Sequence, residues 1–179
     1  MIRSTYKNIV MLLLAFLLLA SQTGGDRDSK IKAAFLFNLA QFIEWPSGTF
    51  SESGSPLVIG ILGENPFDSY LEEIVSGENV NGHPLLVKYC QTAEEAKTCQ
   101  IVFINLPDKN KIQEAIIAMK GRGILTVSDK NNFISQGGMI KLIKKAKKIS
   151  LIINTQATKE DSLTISSKLL QIADLAPLK

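Results

Sequence analysis

The apolar positions of the chain fall into short runs with two different periods. Residues 101–104 (IVFI) are wholly apolar, residues 107–120 repeat apolar positions at helical spacing, and residues 124–127 (ILTV) form a second short run. Strand, amphipathic helix and strand in that order make one crossover of a parallel sheet, whose strands are buried on both faces and therefore apolar throughout. Upstream, residues 56–62 and 85–89 (LLVKY) supply two more strands, separated by a helix expected over residues 66–75 and by the Asn81–Gly82 turn. Thr92 to Lys97 leaves room only for a short helix.

Residues 30–44 place Ile31, Ala34, Phe35, Leu39, Phe42 and Ile43 at helical spacing, and Leu36, Phe37 and Ala40 widen that stripe. A helix this apolar is largely buried or turns one flank to a partner. Pro46 forces Trp45 out of the helical region and ends it, which makes Trp45 a packing anchor. Beyond the crossover, the Gly137–Gly138 pair marks a bend or a close backbone approach where a side chain would clash. Residues 139–143 and 149–153 are apolar runs separated by KKAKK, whose four like charges cannot be buried, so they read as the exposed tip of an antiparallel hairpin. Residues 158–175 read as a helical end. The expected fold class is α/β: a mixed, mostly parallel sheet flanked by helices, with a C-terminal antiparallel hairpin and a terminal helix, in a single domain.

Ahead of this domain, Arg3 and Lys7 precede twelve uncharged, mostly aliphatic residues (9–20), the pattern of a cleaved secretory signal over residues 1–22. Such a run is short for a membrane span. The formal net charge of +3 falls to +1 once Arg3 and Lys7 are removed, which takes away the compositional support for a nucleic-acid partner. Export also gives the two cysteines, Cys90 and Cys99, an oxidising setting, and a disulfide between them would close a short loop worth roughly 2–3 kcal/mol. Two separate cysteines packed at strand ends are the alternative.

No constellation of catalytic residues emerges. Gly60-Ile-Leu-Gly63 stands at a strand end before a helix but lacks the third glycine and the downstream acid of a dinucleotide site, so it reads as a tight turn and no cofactor is expected. Asn105 stands where a phospho-acceptor domain needs an aspartate. His83 is the single histidine and has no nucleophile or acid at regular spacing. Glu160 and Asp161, adjacent acids near an expected helix start, fit the helix dipole better than acid–base work.

Residues 31–46 (IKAAFLFNLAQFIEWP), 57–63 (LVIGILG), 99–104 (CQIVFI) and 124–129 (ILTVSD), Phe133 with Gly137-Gly138-Met139-Ile140, and residues 165–173 (ISSKLLQIA) together resemble the YfiR family, the DUF4154 domain, across residues 29–175. The resemblance implies a periplasmic regulator rather than an enzyme. It implies binding to the periplasmic part of an inner-membrane signalling protein such as a diguanylate cyclase, whose release raises cyclic di-GMP. It further implies a homodimer and redox-sensitive disulfides; Cys99 falls at the family's cysteine before the central strand, and the second cysteine pair of the best-characterised member has no counterpart here. A periplasmic small-molecule or cell-wall sensor is the alternative. Phe35, Leu39, Phe42 and Trp45 are the candidate interface, as core, dimer or receptor face.

Overall fold

The computed structural model describes residues 23–145 and 148–177. The expected leader, residues 1–22, and the hairpin tip at residues 146 and 147 lie outside the described residues. In chain order the elements are α1 (Thr23–Phe42), β1 (Ile43–Glu44), β2 (Leu57–Gly63), α2 (Tyr70–Val75), β3 (Asn79–Val80), β4 (His83–Cys90), α3 (Ala93–Ala96), β5 (Ile101–Asn105), α4 (Lys109–Met119), β6 (Leu125–Ser128), β7 (Ile140–Lys145), β8 (Lys148–Ile153), α5 (Thr155–Glu160), β9 (Thr164–Ile165), α6 (Ser167–Ile172) and β10 (Asp174–Leu175). No helix among the described residues is long and apolar enough to cross a membrane.

Eight strands form one sheet in the order β10-β8-β7-β6-β5-β2-β4-β3. Strand β2 lies between β4 and β5 and runs parallel to both, and β5, β6 and β7 continue the parallel run. Strand β8 then turns back antiparallel on β7, in register from Ile140–Ile153 to Lys145–Lys148, so the two strands of the hairpin read in the sequence are paired. The crossover of β5, α4 and β6 sits at the middle of this sheet. The fold is the expected mixed, mostly parallel sheet flanked by helices.

Alternation sorts the side chains onto two faces. Ile59, Ile61, Ile101, Phe103, Val127 and Ile140 pack with Leu36, Leu39 and Ala40 of α1 and Leu71 of α2 in the larger core. Leu62, Val102 and Ile104 pack with Ala96 of α3 and Ile112, Ala115 and Met119 of α4 in the smaller one. Phe133 plugs this second core. A Cβ on Gly138 would stand 2.3 Å from its ring, so the Gly-Gly pair is the close approach that the sequence suggested.

Three local expectations are corrected. The helix over residues 66–75 begins only at Tyr70, because Asn65 Oδ1 accepts the Phe67 N–H at 2.9 Å and Asp68 takes φ 49°. Chain entry through this Asx turn competes with the helix. The helical end is split: Ser162, at φ 58°, takes the left-handed conformation that stops α5. Leu163 then turns into the core, β9 pairs antiparallel with β1, and Ser166 caps the separate helix α6 by accepting the Leu169 N–H. Helix α1 correspondingly stops at Phe42, short of Trp45, because Ile43 and Glu44 are taken into that two-stranded pair.

Candidate functional site

Helix α1 lies on the first face of the sheet. Leu39 is 1% exposed and belongs to the core, whereas Phe35, Phe42 and Trp45 are half-buried and pack against that core with part of each ring at the surface. Trp45 donates its indole N–H to the Gln100 carbonyl at 3.4 Å and meets Phe50 edge-to-face at 6.3 Å. Phe50 stacks in turn on His83 at 3.7 Å, and His83 Nδ1 lies 2.6 Å from the Ser55 carbonyl oxygen. The single histidine is thus a packing member of an aromatic stack.

The switch between β2 and β5, where doubly wound sheets bind ligands, is closed. Gly63, at φ 99°, lets the chain pass so near β5 that a Cβ there would lie 2.4 Å from the Asn105 carbonyl oxygen. Asn105 donates from Nδ2 to the Glu64 carbonyl at 2.8 Å, which ties the two strand ends together where a crevice would open.

Cys90 and Cys99 correct the disulfide expected between them: both are free thiols, and both are buried. Parallel β2 brings the end of β4 and the start of β5 together, so the two cysteines do become neighbours. They do so as small apolar groups of the second core, beside Leu62, Ala96 and Val102. The Cys99 sulfur fills the space above Gly60, where a Cβ would stand 2.7 Å away. Burial, then the neighbouring Cys90, pushes the Cys99 thiol up to about 12, and burial also raises Cys90. Thiolate, the nucleophile of disulfide chemistry, is disfavoured at both.

An open cleft lies at the other end of the second face. A cleft of ≈ 590 Å³ runs between the last turn of α4, the segment 129–139, strands β7 and β8, and α5. Its apolar walls include Ile116, Met119, Met139, Ile152 and Ala157. Asp161 forms one polar wall; it is 5% exposed, and its Oδ1 accepts the Arg122 and Gly123 N–H groups at 3.0 and 3.3 Å. Glu160, beside it, pairs with Lys120 at 2.9 Å. These acids close a helix rather than open one, so the dipole account offered by the sequence has the wrong end of the element. No group of three or more His, Cys, Asp or Glu able to hold a metal occurs among the described residues.

The sequence profile of the DUF4154 family, described as YfiR/HmsC-like, matches residues 29–174. The chain belongs to this YfiR/HmsC-like family. That match spans every strand of the main sheet except the last residue of β10, so the shared unit is the whole domain. The family is one of regulator domains without catalytic activity, in keeping with periplasmic signalling. Comparison with curated proteins gives no match. Among solved structures, this YfiR/HmsC-like chain is similar to a conserved domain protein of Vibrio cholerae O1 biovar El Tor, at 14% identity and a TM-score of 0.48 over 68% of the present chain. The chain spans 55% of the length of that protein.

Proposed function

We propose that this YfiR/HmsC-like chain is an exported regulator that binds the periplasmic part of an inner-membrane signalling protein and restrains it, with a membrane-bound diguanylate cyclase as the partner class. The leader pattern of residues 1–22 supports export, and family membership across residues 29–174 carries the regulatory reading. The half-buried Phe35 and Phe42 of α1, with Trp45 just beyond its end, support a contact face for the receptor or for a second copy in a homodimer, beside the buried Leu39.

Crosslinking the native protein in its own periplasm, followed by capture and mass spectrometry, tests this reading. A membrane protein carrying a cytoplasmic cyclase domain is the expected partner, and Phe42→Asp is expected to abolish its recovery while thermal unfolding of the purified variant stays cooperative. Recovery of outer-membrane or soluble partners alone overturns the cyclase reading.

A further inference from the structure

The cleft on the second face holds a carboxylate whose bonding is half complete. Asp161 is 5% exposed, and both N–H groups that reach it, from Arg122 and Gly123, are received by Oδ1. Its Oδ2 has no hydrogen-bond partner among the described residues, although the residue forms part of the cleft wall. The neighbouring cation, Lys120, is engaged by Glu160. Oδ2 is not among the buried polar atoms without a partner, so it is open to the cleft, where it can accept a further donor. The other wall is also short of donors: Gln136 Oε1 is the one buried side-chain polar atom among the described residues with no partner, while its Nε2 is held by the Lys109 carbonyl at 2.8 Å.

The rest of the lining is mixed: Lys141, whose ammonium donates to the Asn131 carbonyl at 3.0 Å, Asn154 and Gln156 stand among apolar side chains. Ile116 and Met119 come from α4, Met139 from the approach to β7, Ile152 from β8 and Ala157 from α5. A cleft of ≈ 590 Å³ is of the size that receives one small organic molecule. An open cleft with an apolar strip between acceptors at Asp161 and Gln136 favours an occupant with an apolar body and a donor. A cationic donor gains most, because hydrogen bonds between ionised groups are the stronger kind.

We propose that the cleft between α4, β7–β8 and α5 is a binding site for a small amphipathic amine, its apolar body lying against Met119, Met139 and Ile152 and its ammonium group donating to Asp161 Oδ2. The site is built within a single chain and does not rest on the identity of any protein partner. Binding here would fix α5 relative to α4, since Asp161 ends α5 and its Oδ1 already holds the turn after α4.

Dansylcadaverine, an aromatic body carrying a primary ammonium, serves as the fluorescent probe, with N-acetyl-dansylcadaverine as its uncharged control. The purified mature protein is expected to bind one equivalent of the amine saturably and the acetylated control more weakly. Asp161→Asn keeps an oxygen for the Arg122 and Gly123 N–H groups and removes the charge. It should weaken amine binding by about 10-fold or more while moving the control by less than about 2-fold, the difference expected of a charged hydrogen bond. Ala157→Phe fills the cleft and keeps the carboxylate charge, and should weaken both probes. The proposal is overturned if the amine does not bind saturably, if Asp161→Asn weakens both probes equally, or if Ala157→Phe leaves amine binding unchanged. Should Asp161→Asn fail to fold, the Ala157→Phe result and the preference for amine over acetylated probe decide the matter.

Discussion

The two faces of the sheet are closed to different degrees. On the first, α1 and α2 cover the sheet as far as β8, and Ile153, Leu151, Ile140 and Leu142 of the C-terminal hairpin are as buried as Ile59 and Ile101 at the centre. On the second, α3 and α4 cover β2, β5 and β6, and the hairpin presents Lys141 and Ile152 to the open cleft instead. One sheet thus carries a continuous core on one side and a core plus an open bay on the other. Most of the packing that defines the fold lies on one face and the room to bind on the other, with Met139 and Ala157 belonging to both the first core and the cleft wall.

Two adjacent residues put this contrast to its strongest test. Ile153 points into the first core at 0% exposure, and Ile152 lines the cleft. Truncation to alanine removes the same atoms from both, yet the cost depends on the cavity left behind. Ile153→Ala should lower unfolding free energy by about 4 kcal/mol and Ile152→Ala by about 1 kcal/mol, measured by urea denaturation. Equal losses would break the comparison, because they would mean that the bay is as tightly packed as the core.

The next largest effect concerns the plug that closes the second core before the bay begins. Phe133 is fully buried, and its ring occupies the place where a side chain at Gly138 would go. Gly138→Ala should cost about 3 kcal/mol through overpacking. Gly137→Ala has a different fault: its Cβ would meet only Ile116 at 3.7 Å, but its φ of 97° disfavours any side chain, at about 1 kcal/mol. Similar losses at the two positions, read from the same urea curves, would show that backbone strain rather than the aromatic plug governs this bend.

These residues also show what was legible in the sequence. Six of the eight strands of the main sheet, the central crossover and the paired strands of the hairpin were readable because buried strands announce themselves as apolar runs, whereas the two-residue β3 and β10 fell in stretches read as a polar connection and as helix. Gly137–Gly138 carried its own warning, though not the name of the ring it accommodates. The β1–β9 pair was not readable: two residues in each strand carry no period, and the partners are more than a hundred positions apart. Asp161 was placed at the wrong end of a helix because the stop at Ser162 depends on burying Leu163, a tertiary demand. The cleft stayed invisible for the same reason. It is bounded by α4, the 129–139 segment, the hairpin and α5, and no local pattern records that they meet.

A smaller effect sharpens the account of the cysteines. Gly60 and Cys99 share one space, since a Cβ on Gly60 would lie 2.7 Å from the Cys99 sulfur. Gly60→Ala alone should cost about 2 kcal/mol, and about half of that should be recovered when Cys99→Ala is added, because contacting sites are not additive. Additive losses would separate the two positions. In urea, a thiol reagent should count both cysteines, and in the native protein both should react slowly; finding no thiol in the unfolded chain would restore the disulfide.

The smallest effect is the dependence of stability on alkaline pH. In the folded protein, burial and then the Cys90 neighbour raise the Cys99 thiol from 9.0 to about 12. Below pH 9 both folded and unfolded chains keep the proton, and Cys99 adds no slope. Between pH 9 and about 12 the unfolded chain loses the proton that the folded chain retains, so stability falls as pH rises and levels off beyond the folded value. Tyr89, raised to about 12 by burial and by its hydrogen bond to Glu72, contributes a slope of the same sign. The informative quantity is therefore the difference between the parent protein and Cys99→Ala: the variant should lose urea resistance less steeply between pH 8.5 and 10.5. Parallel curves would mean that water reaches the Cys99 sulfur in the folded state, and that the second core is open at its cysteine end as well as at its bay.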